Sequence, residues 1–488
     1  MQFNSIEFIF FFPFVAACCF SLPPHAQRVW LLLASYLFYM AWNPFYILLI
    51  WISTLTDYGV ARAMENHTDK RGRRKWLYVS LCINLGLLFA FKYANLAGDA
   101  LTQAGLWIGV DWNVPYLDIL LPVGISFYTF QTLSYTIEVY RGNQKAERSL
   151  VDFALYVAYF PQLVAGPIER PQHLLPQLKT PKYFDYDRVV SGLRLVLWGI
   201  FKKVVIADRL AVMVNVIYDQ PERYPGSFLT LATVFFAFQI YCDFSGYTDI
   251  ARGCARVLGV DLMKNFNRPY MATSIRDFWR RWHISLSTWF RDYVYVPCGG
   301  NRGSTAAWAL GLFAVFLLSG LWHGANYTFV VWGLLHFGYY LFGRATHPLR
   351  SRLVHALGLT KVPGLLPILQ VTTTFVLVCI GWVFFRAESM GQAVYILSHL
   401  HERWFDLSPN GGFKGIVASL DLSVRAFALN IGLVCGLVVA EGLIRDREPG
   451  EWLGDLPMPL RWAGYTVLGL LIMNLGLAEE IPFVYFQF

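Results

Sequence analysis

The sequence predicts an all-α polytopic membrane protein, a bundle of helices crossing a bilayer. Three observations carry that prediction. Of 488 residues, 56% are hydrophobic and only 15% charged, whereas a soluble domain carries about 25% charged residues. Many apolar runs approach the roughly 20 residues that a helix needs to cross the hydrocarbon core. The basic residues, which set a formal net charge of +8, gather in short clusters between those runs, as they do in cytoplasmic loops. That distribution favours membrane lipid as a partner and argues against nucleic acid. The eight cysteines form no CxxC pair and lie mostly in or beside apolar runs. They read as small core residues with reduced thiols, and no metal site is expected.

The first run, Ile6 to Leu22, follows an N-terminus without Lys or Arg, in which Glu7 is the only charge up to Phe20. A cleaved signal peptide would begin with a basic region. The segment therefore reads as a retained helix whose N-terminus lies outside the cytoplasm. Val29 to Trp42 and Phe45 to Tyr58 follow, separated by Asn43-Pro44. The loop Asn66 to Lys75 carries Lys70, Arg71, Arg73, Arg74 and Lys75, which marks its side as cytoplasmic. Trp76 to Tyr93 and Ile119 to Tyr140 return through the membrane. Leu150 to Val164 is short and runs into AGPIERP, Ala165 to Pro171. Its prolines cannot continue a helix, and irregular backbone at membrane depth needs protein or a cavity to cover it. Leu163 to Pro171, with Glu169 inside it, is expected to be a re-entrant turn or a cavity rim.

Val189 to Ile206, Phe228 to Tyr247, Thr305 to Leu321, Tyr327 to Phe342, Leu365 to Phe385, Ala426 to Leu443 and Trp462 to Leu477 are further apolar segments. About 11–13 of the runs are expected to span. No internal repeat or linker divides the chain, so residues 1–488 read as one membrane domain. Residues 479–488 form a tail with two acids and no base, expected on the non-cytoplasmic side.

Two histidines stand out. His323 lies in LGLFAVFLLSGLWHGANYTFVVWGLLHFGYY, Leu310 to Tyr340. An ionisable side chain in such a run marks a functional site by default. Gly320 and Gly324 fall four apart around it, letting another segment approach closely, and Trp322 and Asn326 flank it. His283 lies in TSIRDFWRRWHISLSTWFRDYVY, Thr273 to Tyr295, where four arginines forbid spanning. Phe278, Trp282, Leu286, Trp289 and Tyr293 form one helical stripe; Arg276, Arg280, His283, Ser287 and Arg291 form another. The spacing predicts one amphipathic interfacial helix. Its arginine face, with Trp279 adjacent, suits a phosphorylated or anionic donor, because guanidinium binds phosphate bidentately. A basic interfacial helix of this kind also suits anionic lipid head groups. The chain has no HExxH, no GxSxG and no P-loop.

Several stretches together resemble the membrane-bound O-acyltransferase superfamily, and more closely its bacterial branch that acetylates alginate. They are Leu33 to Pro44, Pro122 to Tyr135, Phe160 to Arg170, Gln239 to Gly253, Asn265 to Arg302, Leu318 to Gly324 and the ending FVYFQF, Phe483 to Phe488. The resemblance implies a helix bundle around a central tunnel. It implies that the family's invariant histidine falls on His323 and its second position on His283. It also implies a cytoplasmic acyl donor, acetyl-CoA, with no bound cofactor, an acyl group leaving on the other side, and periplasmic acetyltransferases as partners acting on an exported polysaccharide. The expected location is the bacterial inner membrane. Alginate or a similar exopolysaccharide is the expected acceptor; peptidoglycan, cellulose and D-alanyl transfer to teichoic acid are the alternatives within the family. A polytopic transporter is the rival from another class, since it too shows intramembrane histidine and broken helices.

Moving an acetyl group from a thioester to a hydroxyl requires a base for the hydroxyl proton. Burial keeps a histidine neutral and able to accept it, so His323 is the expected base, while His283 with Arg276, Arg280, Ser287 and Trp279 is expected to hold the donor. Gly320, Gly324, Trp322, Asn326 and Glu169 are expected to line or support the tunnel. Tyr485 is expected to be a transient acetyl carrier: the tail resembles the C-terminal aromatic hexapeptide of the small partner protein in D-alanylation, whose tyrosine is proposed to carry the acyl group.

Overall fold

The computed structural model describes residues 1–112, 114–117, 121–164, 166–404, 412–420, 423–476 and 481–484. Their regular elements are all helices, with no strand among the described residues, as the composition predicts. Among the described residues, six helices are long and apolar enough to span a membrane: Pro44–Glu65, Lys70–Lys92, Gly226–Val257, Thr305–His323, Leu365–Arg386 and Val424–Ile444. Other apolar runs form shorter or interrupted helices. Ile6–Ser21 has 16 residues, and Tyr186–Ile200 continues into a π-helical turn at Phe201–Ala207.

The chain divides into two compact units, residues 1–198 with 247–263, and residues 199–246 with 264–488. In the first, Asp57 is fully buried and is answered in full. Ser80 donates to its Oδ1 at 2.5 Å, and the Asn84 amide donates to both oxygens at 2.9 and 3.1 Å. A carboxylate is tolerated inside such a bundle only when it is satisfied in this way. The segment after Leu150–Ala158 behaves as its prolines require. A four-residue helix, Phe160–Leu163, gives way to non-helical backbone before Pro171–Lys179, and residues 166–169 are buried within this unit. Ala165 lies outside the described residues. Glu169 secures the turn: its Oε1 accepts from the Met263 N–H at 2.6 Å, and its Oε2 meets His173 Nδ1 at 2.7 Å.

The second unit contains both histidines. Thr305–His323 and Tyr327–Ala345 pack closely because Gly320 and Gly333 lie at their contact. A Cβ on Gly320 would fall inside the contact radius of the Phe329 carbonyl, and one on Gly333 inside that of the Phe316 carbonyl. Close backbone approach through small residues is how helices associate in lipid. Gly324 plays a different part from the one its spacing predicts. It stands outside the helix as its C-cap, in extended backbone.

Candidate active site

His323 is not mid-span. It is the last residue of its helix, and Gly324 to Asn326 turn the chain into Tyr327–Ala345. The break needs a cap, and Asn326 provides it by accepting from the Thr328 N–H at 3.1 Å while donating to the Glu388 carbonyl at 2.9 Å. His323 is 3% exposed. Its ring is surrounded by Trp322 and Trp332, each 4.9 Å away between centroids, and by Phe385 at 5.1 Å.

The single amphipathic helix expected over Thr273 to Tyr295 is instead two short helices, Ile275–Arg281 and Ile284–Phe290, followed by a π-helical turn, Arg291–Tyr295. Trp282 is extended and His283 adopts left-handed backbone, φ 42°, a rare state for a residue with a Cβ. The physical reason is the segment Asn265 to Asn267. Ile284 donates to the Asn265 carbonyl at 2.9 Å, and the Asn267 N–H donates to the Arg281 carbonyl at 2.9 Å. These bonds replace helical ones across the break. The break removes His283 from the polar face that the periodicity gave it. It is fully buried, with its ring 4.7 Å from Phe244 and 5.7 Å from Trp322.

The tautomer of His283 follows from Asn265. The Ser285 N–H and hydroxyl both donate to Asn265 Oδ1, at 3.1 and 2.9 Å, so that atom is the amide oxygen. His283 Nδ1, 3.2 Å from the same oxygen, must then carry the hydrogen, and Nε2 carries the lone pair. Burial pushes the pKa of His283 down to about 3, so the ring stays neutral with its lone pair on Nε2.

The other donor-side residues stay together. Arg276, Trp279, Arg280 and Ser287 line one cavity of about 1870 Å³, joined by Arg291, Arg344 and Arg350. Among its described lining residues there is no carboxylate. Ser319, one turn before His323, also lines it. The structure therefore brings His283 and His323 against one indole, Trp322, and sets the arginines apart around the neighbouring cavity. Glu169 lies in the first unit, tied into its own turn. Tyr485 lies outside the described residues.

Sequence reasoning missed three groups. His336 and Trp332, both buried, sit on Tyr327–Ala345; a third histidine in an apolar run was the available signal. Asn265 gave no signal, because its role depends on a tertiary contact. Lys203, Asp208 and Asp243 form a buried cluster, with Lys203 Nζ 2.7 Å from Asp208 and 2.8 Å from Asp243. Charges inside apolar runs could have flagged it. This cluster holds the tail. Lys203 Nζ donates to the Ile481 carbonyl at 3.0 Å, and the Val484 N–H donates to Asp243 Oδ2 at 2.7 Å. Phe483 is fully buried, 5.6 Å from Phe244, the ring that also contacts His283.

Residues 147–385 match the family model of the MBOAT, membrane-bound O-acyltransferase family. The chain is 40% identical over 397 residues to the probable alginate O-acetylase AlgI of Pseudomonas aeruginosa, covering 80% of this chain and 73% of that protein. It is 35% identical over 431 residues to the peptidoglycan O-acetyltransferase of Helicobacter pylori, covering 81% and 79%. It is 30% identical over 225 residues to the teichoic acid D-alanyltransferase of Bacillus subtilis, covering 44% and 56%. With two buried histidines meeting at one indole and this similarity along most of its length, the chain belongs to the membrane-bound O-acyltransferase family, in the branch that contains the alginate O-acetylases.

Proposed function

We propose that this protein takes acetyl groups from acetyl-CoA on the cytoplasmic side of the bacterial inner membrane and passes them across for O-acetylation of an exported polysaccharide. The acceptor is alginate or a similar exopolysaccharide, and periplasmic acetyltransferases complete the transfer. The observation that carries this reading is the pair of buried histidines in contact with Trp322 beside a cavity lined by arginines. Arginines around a cavity with no carboxylate among its described lining residues suit the phosphates of coenzyme A. The alginate-acetylating relatives, at 37–40% identity, support the acceptor class.

In this reading His323 takes the hydroxyl proton as the oxygen attacks the thioester carbon, and returns it to the departing thiolate as the carbon–sulfur bond breaks. His283, with Arg276, Arg280, Ser287 and Trp279, holds the donor, and Phe244 links its ring to the buried tail residue Phe483. Tyr485 is the transient carrier: its oxygen gains the acetyl group from the thioester and yields it to the acceptor hydroxyl. The clamp on Ile481 and Val484 supports that role, since the residue before Tyr485 is buried and tied to Asp243.

The test is transfer of labelled acetyl from acetyl-CoA by the purified protein in proteoliposomes. His323→Ala and Tyr485→Phe are expected to abolish it while accumulating normally. A C-terminal acetyl-peptide should appear by mass spectrometry when acceptor is withheld. Transfer at parental rate by His323→Ala refutes the base; parental rate in Tyr485→Phe refutes the carrier.

A further inference from the structure

The cavity lined by Arg276 and Arg280 has a volume of about 1870 Å³, whereas a site for one small organic ligand takes about 300–1,000 Å³. Its two ends differ. Ser319, a turn before His323, marks one; at the other the Arg344 guanidinium lies 4.2 Å from the centre of the Trp308 ring. Trp308 and His323 share the helix Thr305–His323, so at about 1.5 Å per residue the Trp308 end stands roughly 22 Å from the base. Arg350 also lines the cavity and donates to the Gly343 carbonyl at 2.7 Å. Neither Arg344 nor Arg350 has an ion-pair partner among the described residues, and the sequence from Tyr293 to Ala387 contains no acid. The remaining wall at this end is apolar and opens outward. Phe342, Leu353, Leu357 and Leu369 line the cavity, yet they are 68, 49, 69 and 43% exposed. Leu369 belongs to Leu365–Arg386, which is long and apolar enough to span the membrane. Leu353 belongs to the short helix His347–Ala356, which carries Arg350 and Arg352 and no acid. A basic helix with exposed leucines lies in the plane of the membrane interface.

We propose that this end of the cavity binds one anionic phospholipid from the surrounding bilayer, with its phosphate on Arg344 and Arg350 and its chains along Leu353, Leu357 and Leu369. Charge complementarity selects the head group: two guanidinium groups without a carboxylate need an anion, and they bind phosphate oxygens bidentately. The outward-facing leucines select a lipid over a free phosphate, because chains laid on them shield apolar surface that is continuous with the hydrocarbon. The volume leaves room for both occupants, the lipid at the Trp308 end and the acyl donor with Arg276 and Arg280 toward Ser319. The bound lipid then forms one wall of the donor's compartment.

The experiment titrates the full chain in detergent with phosphatidylglycerol or with zwitterionic phosphatidylcholine and counts retained lipid by native mass spectrometry. The parent should keep one phosphatidylglycerol in preference to phosphatidylcholine. The double variant Arg344→Gln, Arg350→Gln should hold it roughly thirtyfold more weakly, equivalent to about 2 kcal/mol, and the corresponding double lysine variant should recover part of that loss. Arg352→Gln makes a charge change on the same helix but outside the cavity lining, and should stay within twofold of the parent. Leu357→Asn, at an exposed position, should also weaken retention, and it carries the test if the double variant does not accumulate. Inorganic phosphate and acetyl-CoA, each added in excess, should leave the lipid bound. Equal retention of the two lipids, or an equal loss in Arg352→Gln, overturns the site. Release by inorganic phosphate overturns it because the arginines then bind a free anion. Release by acetyl-CoA overturns it because they then belong to the donor. Lipid retention requires no acetyl transfer, so failure here leaves the acyl-transfer reading standing.

Discussion

Replacing Lys203 with methionine isolates the cluster that anchors the tail. The stem keeps its length, while the ammonium and its contacts disappear. Lys203, Asp208 and Asp243 have side chains only 1%, 5% and 2% exposed, so the change strands two carboxylates in the interior with no cation between them. Breaking a buried pair in this manner costs about 3–5 kcal/mol. Losing the bond to the Ile481 carbonyl adds about 1 kcal/mol. At about 2.1 cal/mol/K per residue, 488 residues give an unfolding entropy near 1 kcal/mol/K, so the melting temperature should fall by roughly 4–6 °C. The assay is intrinsic-fluorescence melting in detergent, read together with carboxypeptidase digestion of the C-terminus, which should accelerate once Ile481 is released. The triple variant Lys203→Met, Asp208→Asn, Asp243→Asn removes the stranded charges and should recover most of the melting loss. A Lys203→Met protein that melts within 1 °C of the parent and resists carboxypeptidase equally would refute the clamp.

Three further outcomes are expected. Gly320→Leu must push Tyr327–Ala345 away at the Phe329 carbonyl, costing about 1–3 kcal/mol and disturbing His323 three residues on; Gly338→Leu, with open space around it, should melt and transfer acetyl like the parent. Equal behaviour of the two variants contradicts the close helix contact. Arg276→Ala and Arg280→Ala should each raise KM for acetyl-CoA about tenfold, equivalent to about 1.4 kcal/mol, without lowering melting; an unchanged KM in both removes the donor role. His283, at about 3 in the folded chain against an ordinary 6.5, stays neutral while the unfolded chain takes up a proton between those values. Its contribution to stability is therefore complete above about pH 6.5 and is lost as pH falls toward 3. His283→Gln should flatten melting against pH in that window, and an unaltered slope would show that His283 is not buried neutral.

The membrane class, the helical content, the arginine set that lines one cavity and the histidine buried at position 323 were legible in the sequence, because each follows from composition or from spacing along the chain. Lipid leaves the backbone little but helix, and periodicity then fixes which residues share a face. Periodicity fails where a helix breaks without Pro or Gly. Nothing between Arg280 and Ile284 announces the left-handed turn at His283, which exists because Asn265 and Asn267 pair with that backbone from another part of the chain. For the same reason Gly324 became a cap, despite a spacing that put it on the face of Gly320. Proton placement was beyond sequence altogether. The tautomer of His283 is set by the Asn265 oxygen and that of His336 by the Trp279 indole, and each partner is distant along the chain. The sequence by itself determined which chemical groups the interior would contain, since an ionisable residue in an apolar run has nowhere else to go. Which of them meet, and which nitrogen of each holds the hydrogen, only tertiary packing decided, because hydrogen bonds across the fold carry that information and local spacing does not.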